Sequence, residues 1–253
     1  WDLPAAQHAF EFFEECLRFG DAQFDGQPFV LLPSQKFIVG RLFGWKNEDG
    51  TRRFRGAYIE TGKGNGKSPL AAGIGLYLFA ADGEVGSEVY FTAPTKDQAK
   101  EIAFKDVIRF VERNPDFLAA FRAVGENPIE EFLFKDMGAK MRPISADAKT
   151  KSGFRPHGVI IDEVHELGRN EEVISALRAG FKFRRNPLLF MITNAGYDRQ
   201  SICWKNHEKA QQVAFGSADD DAFFSYVCEL DKEDDPFKDE SCKAVCMSHV
   251  LEH

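Results

Sequence analysis

The sequence lacks any run of apolar residues long enough to cross a membrane. A spanning helix needs about 20 predominantly apolar residues, so we expect no membrane-spanning segment. The first four residues have neither the charged stretch nor the apolar stretch of a signal peptide, and position 1 is not Met. We therefore expect no signal peptide and an N-terminus that has been trimmed.

Basic residues are scarce relative to acidic ones: 32 Lys and Arg stand against 40 Asp and Glu, a formal net charge of −8. Proteins that coat nucleic acid are usually basic. The balance argues against that class, although a local basic patch could still contact DNA. The five cysteines are odd in number and irregularly spaced, which favours reduced thiols in a cytosol-like compartment.

The chain has 253 residues, enough for one large α/β domain or two small ones. Its 25 Phe predict an aromatic-rich core. Strand-like residues 87–94 precede a helix-like run over 96–112, which Thr95 would cap. Such alternation predicts a mainly parallel central sheet flanked by helices, an α/β fold. Residues 131–134 and 139–144 additionally predict an antiparallel pair.

Residues 59–72 combine an apolar lead-in, a glycine-rich turn, Gly-Lys-Ser and a helix-like run. This order is typical of a phosphate-binding loop, in which glycines let backbone N–H groups approach a nucleotide triphosphate. Lys67 would contact the β- and γ-phosphates, and the Ser68 hydroxyl would ligate Mg²⁺. Thr61 departs from the usual first glycine, and a surface turn is the alternative. The residues predicted to bind nucleotide here are Gly62, Lys63, Gly64, Asn65, Gly66, Lys67 and Ser68.

A second motif, residues 158–163, has three β-branched residues followed by two carboxylates. It predicts a strand of a parallel sheet whose carboxyl end lies where α/β sheets bind ligands. Asp162 would hold Mg²⁺ through water, and Glu163 would orient and deprotonate the attacking water. The alternative is a strand that leads into an acidic helix.

Two further stretches carry polar side chains near the predicted nucleotide. Gln35 stands shortly upstream of the loop and would contact the adenine edge; the alternative is a helix cap. Thr193 and Asn194 end an apolar strand-like run. At that end they would sense the γ-phosphate or the attacking water, unless they form only a turn.

Together these motifs, with 32–35 ahead of them and 192–196 after them, resemble the large terminase subunit of tailed phages. More narrowly, they resemble its N-terminal ATPase domain of the HK97-like type, over residues 25–230. The resemblance implies a P-loop NTPase of the ASCE type, with a strand added between the two Walker strands. It also implies ATP and Mg²⁺ as cofactors and DNA translocation into a procapsid as the function.

The resemblance also implies roles for particular residues. Lys63 matches a basic residue four places before the loop lysine, and the pair Thr193 and Asn194 matches a motif that couples hydrolysis to motion. Family motors use an arginine supplied by a neighbouring subunit. Arg142 and Arg155 are the candidates here, because a cation offsets charge that develops on the transferred phosphoryl group.

We expect residues 1–230 to form the ATPase domain and 231–253 an acidic linker ending in a tag remnant, without the nuclease domain of full-length relatives. The expected partners are double-stranded DNA, a homo-oligomeric ring such as a pentamer, the portal protein and the small terminase subunit, in the host cell cytoplasm and without a membrane. A basic patch formed by Lys182, Arg184 and Arg185 would contact DNA, unless it is only solvated. Two other functions remain open: a helicase-like ATPase and a non-enzymatic nucleotide-dependent assembly module.

Overall fold

The computed structural model describes residues 1–126, 128–145, 153–169 and 171–229. The predicted linker and tag remnant therefore lie outside the described residues. Eight strands form one sheet. They are β1 (Gly56–Glu60), β2 (Glu88–Ala93), β3 (Phe121–Val124), β4 (Glu131–Phe134), β5 (Ala139–Ser145), β6 (Gly158–Asp162), β7 (Leu188–Thr193) and β8 (Phe223–Val227).

The strand order is β3-β4-β5-β2-β6-β7-β1-β8. In this order, neighbours from β5 across to β8 pair in parallel, whereas β3, β4 and β5 pair antiparallel at one edge. The predicted mainly parallel sheet and the predicted antiparallel pair are both confirmed. Strand β7 lies between β1 and β6, so the expected strand between the two motif-bearing strands is also confirmed.

Helices cover both faces of the sheet. They are α1 (Leu3–Glu11), α2 (Pro33–Gly44), α3 (Lys67–Ala80), α4 (Lys96–Ala99), α5 (Lys105–Glu112), α6 (Pro115–Ala120), α7 (Glu172–Ala179) and α8 (Ile202–Ala214). The larger core cluster joins α1, α2, α3 and α5 to one face, and the smaller cluster joins α7 and α8 to the other. No helix in the described ranges is both long and apolar enough to span a bilayer.

The core is rich in phenylalanine, as predicted, and it packs closely around α3. Phe13, Phe79, Phe91 and Phe104 are all fully buried. A Cβ added at Gly73 would lie 2.3 Å from the Phe13 ring. Side chains at this separation would overlap, so glycine lets α1 and α3 pack at contact distance.

The predicted helix over 96–112 differs in one respect. Thr95 caps it as expected, since its Oγ1 accepts the Gln98 N–H at 3.1 Å. A π-helical turn over Lys100–Phe104 then separates α4 from α5. Hydrophobic periodicity does not register one inserted residue in a helical ladder, which explains why the sequence predicted a single helix.

Candidate functional site

Three adjacent strands place the predicted motifs at one edge of the sheet. Strands β6, β7 and β1 are neighbours and run in parallel. Glu60 pairs with Thr193, and Asp162 pairs with Ile192, so the three carboxyl ends lie side by side. The phosphate loop follows β1, the two carboxylates end β6, and Thr193 ends β7. Parallel topology brings together motifs that are about a hundred residues apart.

The phosphate loop turns through two glycines with left-handed backbones. Gly64 has a φ of 89°, and Gly66, which precedes α3, has a φ of 68°. Side chains other than glycine rarely adopt these angles. Thr61 does not need that freedom, and its Oγ1 accepts a hydrogen bond from Asn65 Nδ2 at 3.0 Å. The absence of the usual first glycine is therefore compatible with the loop. Lys63 is exposed on its outer side.

Lys67 lies at the centre of the site, and its side chain is almost fully buried. Its Nζ donates to Asn194 Oδ1 at 2.7 Å and to the Gly62 carbonyl at 3.2 Å. The carboxamide of Asn194 in turn donates from Nδ2 to Glu163 Oε2 at 3.2 Å. One amide thus bridges the loop lysine and the predicted catalytic carboxylate.

Asp162 is 4% exposed and lies beside Ser68. Burial raises the pKa of Asp162 to about 6, while the Ser68 hydroxyl and the Glu163 backbone N–H act in the opposite direction. Oδ1 accepts that N–H at 2.9 Å, but Oδ2 is buried without a hydrogen-bond partner. A buried carboxylate oxygen without a partner, next to a hydroxyl, suits hydrated Mg²⁺, which prefers oxygen ligands. The residues present therefore fit the predicted metal.

Glu163 has an unusual backbone. Its φ is 55°, the one positive value among described residues other than glycine. Such a conformation costs on the order of 1–2 kcal/mol and persists only where surrounding contacts hold it. Besides the bond from Asn194, Oε2 lies 3.3 Å from His165 Nδ1. The strained backbone turns the side chain away from the direction of β6 and towards the end of β7.

Gln35 lies at the start of α2 and joins it to the phosphate loop. Its Oε1 accepts the Leu32 N–H at 3.0 Å, and its Nε2 donates to the Asn65 carbonyl at 3.4 Å. The helix-cap alternative is thus realised in the structure, and contact with adenine stays a prediction. A cavity of about 560 Å³ opens beside Gln35, a size typical of small-molecule sites. Its apolar lining includes Phe37, Ile38, Ile59, Leu70, Ile192 and Tyr226.

The two candidate trans-acting arginines lie elsewhere. Arg142 pairs in register with Tyr90 on β2, and its guanidinium is 5.7 Å from the centre of that ring. Arg155 is exposed just before β6, at the amino edge of the sheet, and lies over the Phe183 ring at 4.9 Å. Neither is brought to the phosphate loop of its own chain. Their role towards a neighbouring subunit stays a prediction.

The three residues of the predicted DNA patch differ in their surroundings. The Arg184 side chain is only 10% exposed, and its guanidinium donates to the carbonyls of Arg155 at 2.7 Å and Gly86 at 2.6 Å. Arg185 donates to the Asp49 carbonyl at 3.1 Å, and Lys182 is exposed. Arg184 would have to leave these carbonyls to reach a phosphate, so the structure does not unite the three into one cationic surface.

Sequence reasoning missed two contributors to the site. His165, two residues after Glu163, contacts that carboxylate and also Thr193 Oγ1, which lies 3.0 Å from its Nδ1. Asn194 was predicted to sense phosphate, but not to bridge two catalytic groups. The signal for His165 was a polar residue just after a carboxylate pair, facing a strand with a polar tip. Strand adjacency was needed to interpret it.

Comparisons with known proteins agree with this geometry. Residues 33–212, well over half of the chain, match the family described as "Terminase large subunit, ATPase domain". The chain is 30% identical over 83 residues to Protein YmfN of Escherichia coli strain K12, covering 33% of this chain and 18% of that protein.

Solved structures show the same fold. The HK97 bacteriophage large terminase has a TM-score of 0.76 at 22% identity, covering 94% of this chain and 48% of that one. The large terminase of a thermophilic bacteriophage, solved in complex with ADP, has a TM-score of 0.51 at 12% identity, covering 69% and 40%. The chain thus spans about half the length of the HK97 protein and a smaller part of YmfN. From the matched sequence family, the chain belongs to the terminase large-subunit ATPase domains of phage packaging motors.

Proposed function

We propose that this chain hydrolyses ATP and that the hydrolysis drives translocation of double-stranded DNA into a procapsid. Family membership supports ATP hydrolysis, and the ADP complex of the thermophilic-phage relative supports a nucleotide at this place in the fold. One observation supports the proposal most directly. Asn194, at the tip of β7, hydrogen-bonds both Lys67 and Glu163.

The phosphate chain of ATP would lie along the loop from Gly62 to Ser68. Backbone N–H groups of the loop and the positive end of the α3 dipole favour an anion there. The apolar cavity beside Gln35 would take the base. Gln35 contacts the adenine edge once it exchanges a present hydrogen bond for one to the base. Lys63, exposed on the loop, would approach the γ-phosphate.

Ser68 and Asp162 would hold Mg²⁺, which neutralises charge on the phosphates when it is bound. The Asp162 carboxylate needs a nearby cation to remain ionised, because burial raises its pKa to about 6. Glu163 would orient the attacking water and accept its proton. A cation from the neighbouring subunit, Arg142 or Arg155, would complete the site.

Coupling to motion would begin at Lys67. To contact a phosphate, this lysine has to exchange Asn194 Oδ1 for a phosphate oxygen. The other end of the same amide donates to Glu163, so the exchange alters the contacts of the catalytic carboxylate. The β7 tip would therefore move with the nucleotide state. We propose that this displacement is what Thr193 and Asn194 transmit to the DNA-contacting surface.

The partners follow from the same proposal. Subunits would form a ring such as a pentamer on the portal protein, with DNA through the centre and the small terminase subunit alongside, in the host cell cytoplasm. Lys182 and Arg185, and Arg184 once released from its carbonyl partners, would contact DNA phosphates. DNA contacts by cations weaken steeply with salt. We also expect residues 1–253 alone to leave DNA uncut.

The test is Mg²⁺-dependent ATP turnover at increasing protein concentration, with and without double-stranded DNA. Lys67→Ala and Glu163→Gln should abolish turnover. Glu166→Gln is the matched control, because Glu166 lies in the same turn but is exposed and contacts Gln98. Turnover per subunit that rises with concentration supports a site completed by a neighbour.

Other outcomes identify the other functions. ADP binding without turnover at any concentration, with DNA and procapsids present, would favour the nucleotide-dependent assembly module. Separation of DNA strands by the chain would favour the helicase-like ATPase. Turnover that survives in Glu163→Gln would refute the role of that carboxylate.

A further inference from the structure

His165 lies between the catalytic carboxylate and the coupling strand. Its Nδ1 is 3.3 Å from Glu163 Oε2 and 3.0 Å from Thr193 Oγ1. Its backbone N–H also donates to that hydroxyl oxygen at 3.2 Å. Main chain and side chain of one residue therefore both contact the last residue of β7.

The hydrogen-bond pattern assigns the proton on the ring. Thr193 Oγ1 uses its own hydrogen on the Asn194 carbonyl at 2.8 Å, so it accepts from His165. Glu163 Oε2, as a carboxylate oxygen, also accepts. Two acceptors face Nδ1, which consequently carries hydrogen and donates to both. This tautomer gives His165 a fixed donor directed at the catalytic carboxylate.

Glu163 Oε2 thus receives two donors that respond differently to nucleotide. The amide of Asn194 is shared with Lys67, which must turn to the phosphates. The donor of His165 is shared with Thr193, which has no bond to Lys67 among the described contacts. When Asn194 exchanges partners, the bond from His165 can persist, and it keeps the carboxylate in place.

The turn that carries His165 is itself held firmly. Its neighbours Val164 and Leu167 are buried in the smaller core cluster. Gly168, at the end of the turn, accepts the Ile202 N–H at 2.8 Å, which joins it to α8. A ring held by such a turn keeps its direction when one neighbouring bond changes.

We propose that His165 is a positioning residue that fixes the Glu163 carboxylate to the end of β7, so that movement of β7 sets the orientation of the catalytic base. The proposal rests on the proposed function, because it assigns Glu163 to water activation. It adds a residue and a direction of coupling: the strand tip acts on the base through Nδ1 of one imidazole.

Three substitutions separate this role from simple packing. The amide nitrogen of Asn can occupy the place of Nδ1, whereas that of Gln reaches the place of Nε2. We expect His165→Gln and His165→Ala to lower kcat by roughly 10- to 100-fold, the effect of one hydrogen bond to a charged group. His165→Asn should stay within about threefold of wild type. KM for ATP and the affinity for ADP should be unchanged in all three.

Equal loss of kcat in Asn and Gln variants, or loss confined to KM, would overturn the proposal, as would full activity in His165→Ala. The contact is also measurable without turnover. The Tm losses of His165→Ala and Thr193→Val should sum to more than the loss in the double variant, because both remove the same contact. Additive losses would overturn the proposal in an active protein. A wild type that binds ADP but never turns over ATP refutes the proposed function instead, and the Tm cycle then decides the proposal alone.

Discussion

Replacing Asn194 with Ala should tighten nucleotide binding and slow turnover at once. In the structure the Asn194 amide occupies Lys67 Nζ at 2.7 Å, a short hydrogen bond to a charged donor. Such bonds contribute about 1.5–3 kcal/mol net. A nucleotide has to break this bond before Lys67 can contact a phosphate. Without Asn194 that part of the binding free energy is recovered.

The lower end of that range applies, because Lys67 keeps a second acceptor, the Gly62 carbonyl at 3.2 Å. About 1.5 kcal/mol corresponds to roughly tenfold tighter ADP binding. Turnover should fall by about tenfold, because Glu163 loses one of its two donors while that of His165 remains. Stimulation by DNA should fall further, since the link from β7 to the base is weakened.

Titration calorimetry of ADP with Mg²⁺ measures the first effect, and steady-state turnover measures the second. Asn194→Asp is the matched variant: its carboxylate keeps an acceptor for Lys67 and adds a charge that repels phosphate. It should bind ADP more weakly than wild type. Weaker binding in Asn194→Ala, or shifts of the same sign in both variants, would refute the reasoning.

Three further outcomes are expected. Burial opposes ionisation of Asp82, but Arg52 and His157 hold its pKa below the ordinary carboxyl value. The stability from this ionised group is therefore present above about pH 4 and is lost as the pH falls through the lowered pKa, so acid titration of the free energy of unfolding should be flatter in Asp82→Asn. Gly66→Ala should reduce ADP affinity at least tenfold, because its φ of 68° is costly for Ala and the new Cβ would lie 3.1 Å from the Gln35 amide. Arg184→Ala should cost about 2 kcal/mol in urea unfolding, since it leaves carbonyls unpaired.

Each of these has its own control. Gly83→Ala has a comparable φ of 79° with nothing within 4 Å of the new Cβ, so it should cost stability but not ADP affinity. Equal ADP affinity in the Gly66 and Gly83 variants would contradict the loop geometry. Lys182→Ala, at an exposed position, should leave the free energy of unfolding within about 0.5 kcal/mol. A steeper acid titration in Asp82→Asn would show that the carboxylate is not stabilised by its neighbours.

Local pattern was enough to predict much of this fold. Glycines in the phosphate loop, the β-branched run before Asp162 and the antiparallel pair at β4 and β5 all depend on neighbours within a few residues. Turn and strand preferences act over that range, so they can be read from the chain alone. The π-helical turn over Lys100–Phe104 could not, because helical periodicity tolerates one extra residue.

Arginine roles show the opposite case. Arg184 stands in a run of basic residues, which predicted a DNA patch, yet its guanidinium is used by backbone carbonyls from two distant segments. A charge pattern gives the sign of a surface but not the partners of one side chain. Those partners depend on which loops the fold brings within about 3 Å of the guanidinium.

The sequence by itself determined the types of chemistry: a loop for phosphates, an acidic pair for metal and base, and a polar strand tip. Only the tertiary structure decided how they are connected. The order of β6, β7 and β1 places Asn194 between Lys67 and Glu163, and His165 against Thr193. Hydrogen bonds act over about 3 Å, whereas these residues are separated by up to 127 positions in the chain, so only the packed sheet could establish the contacts.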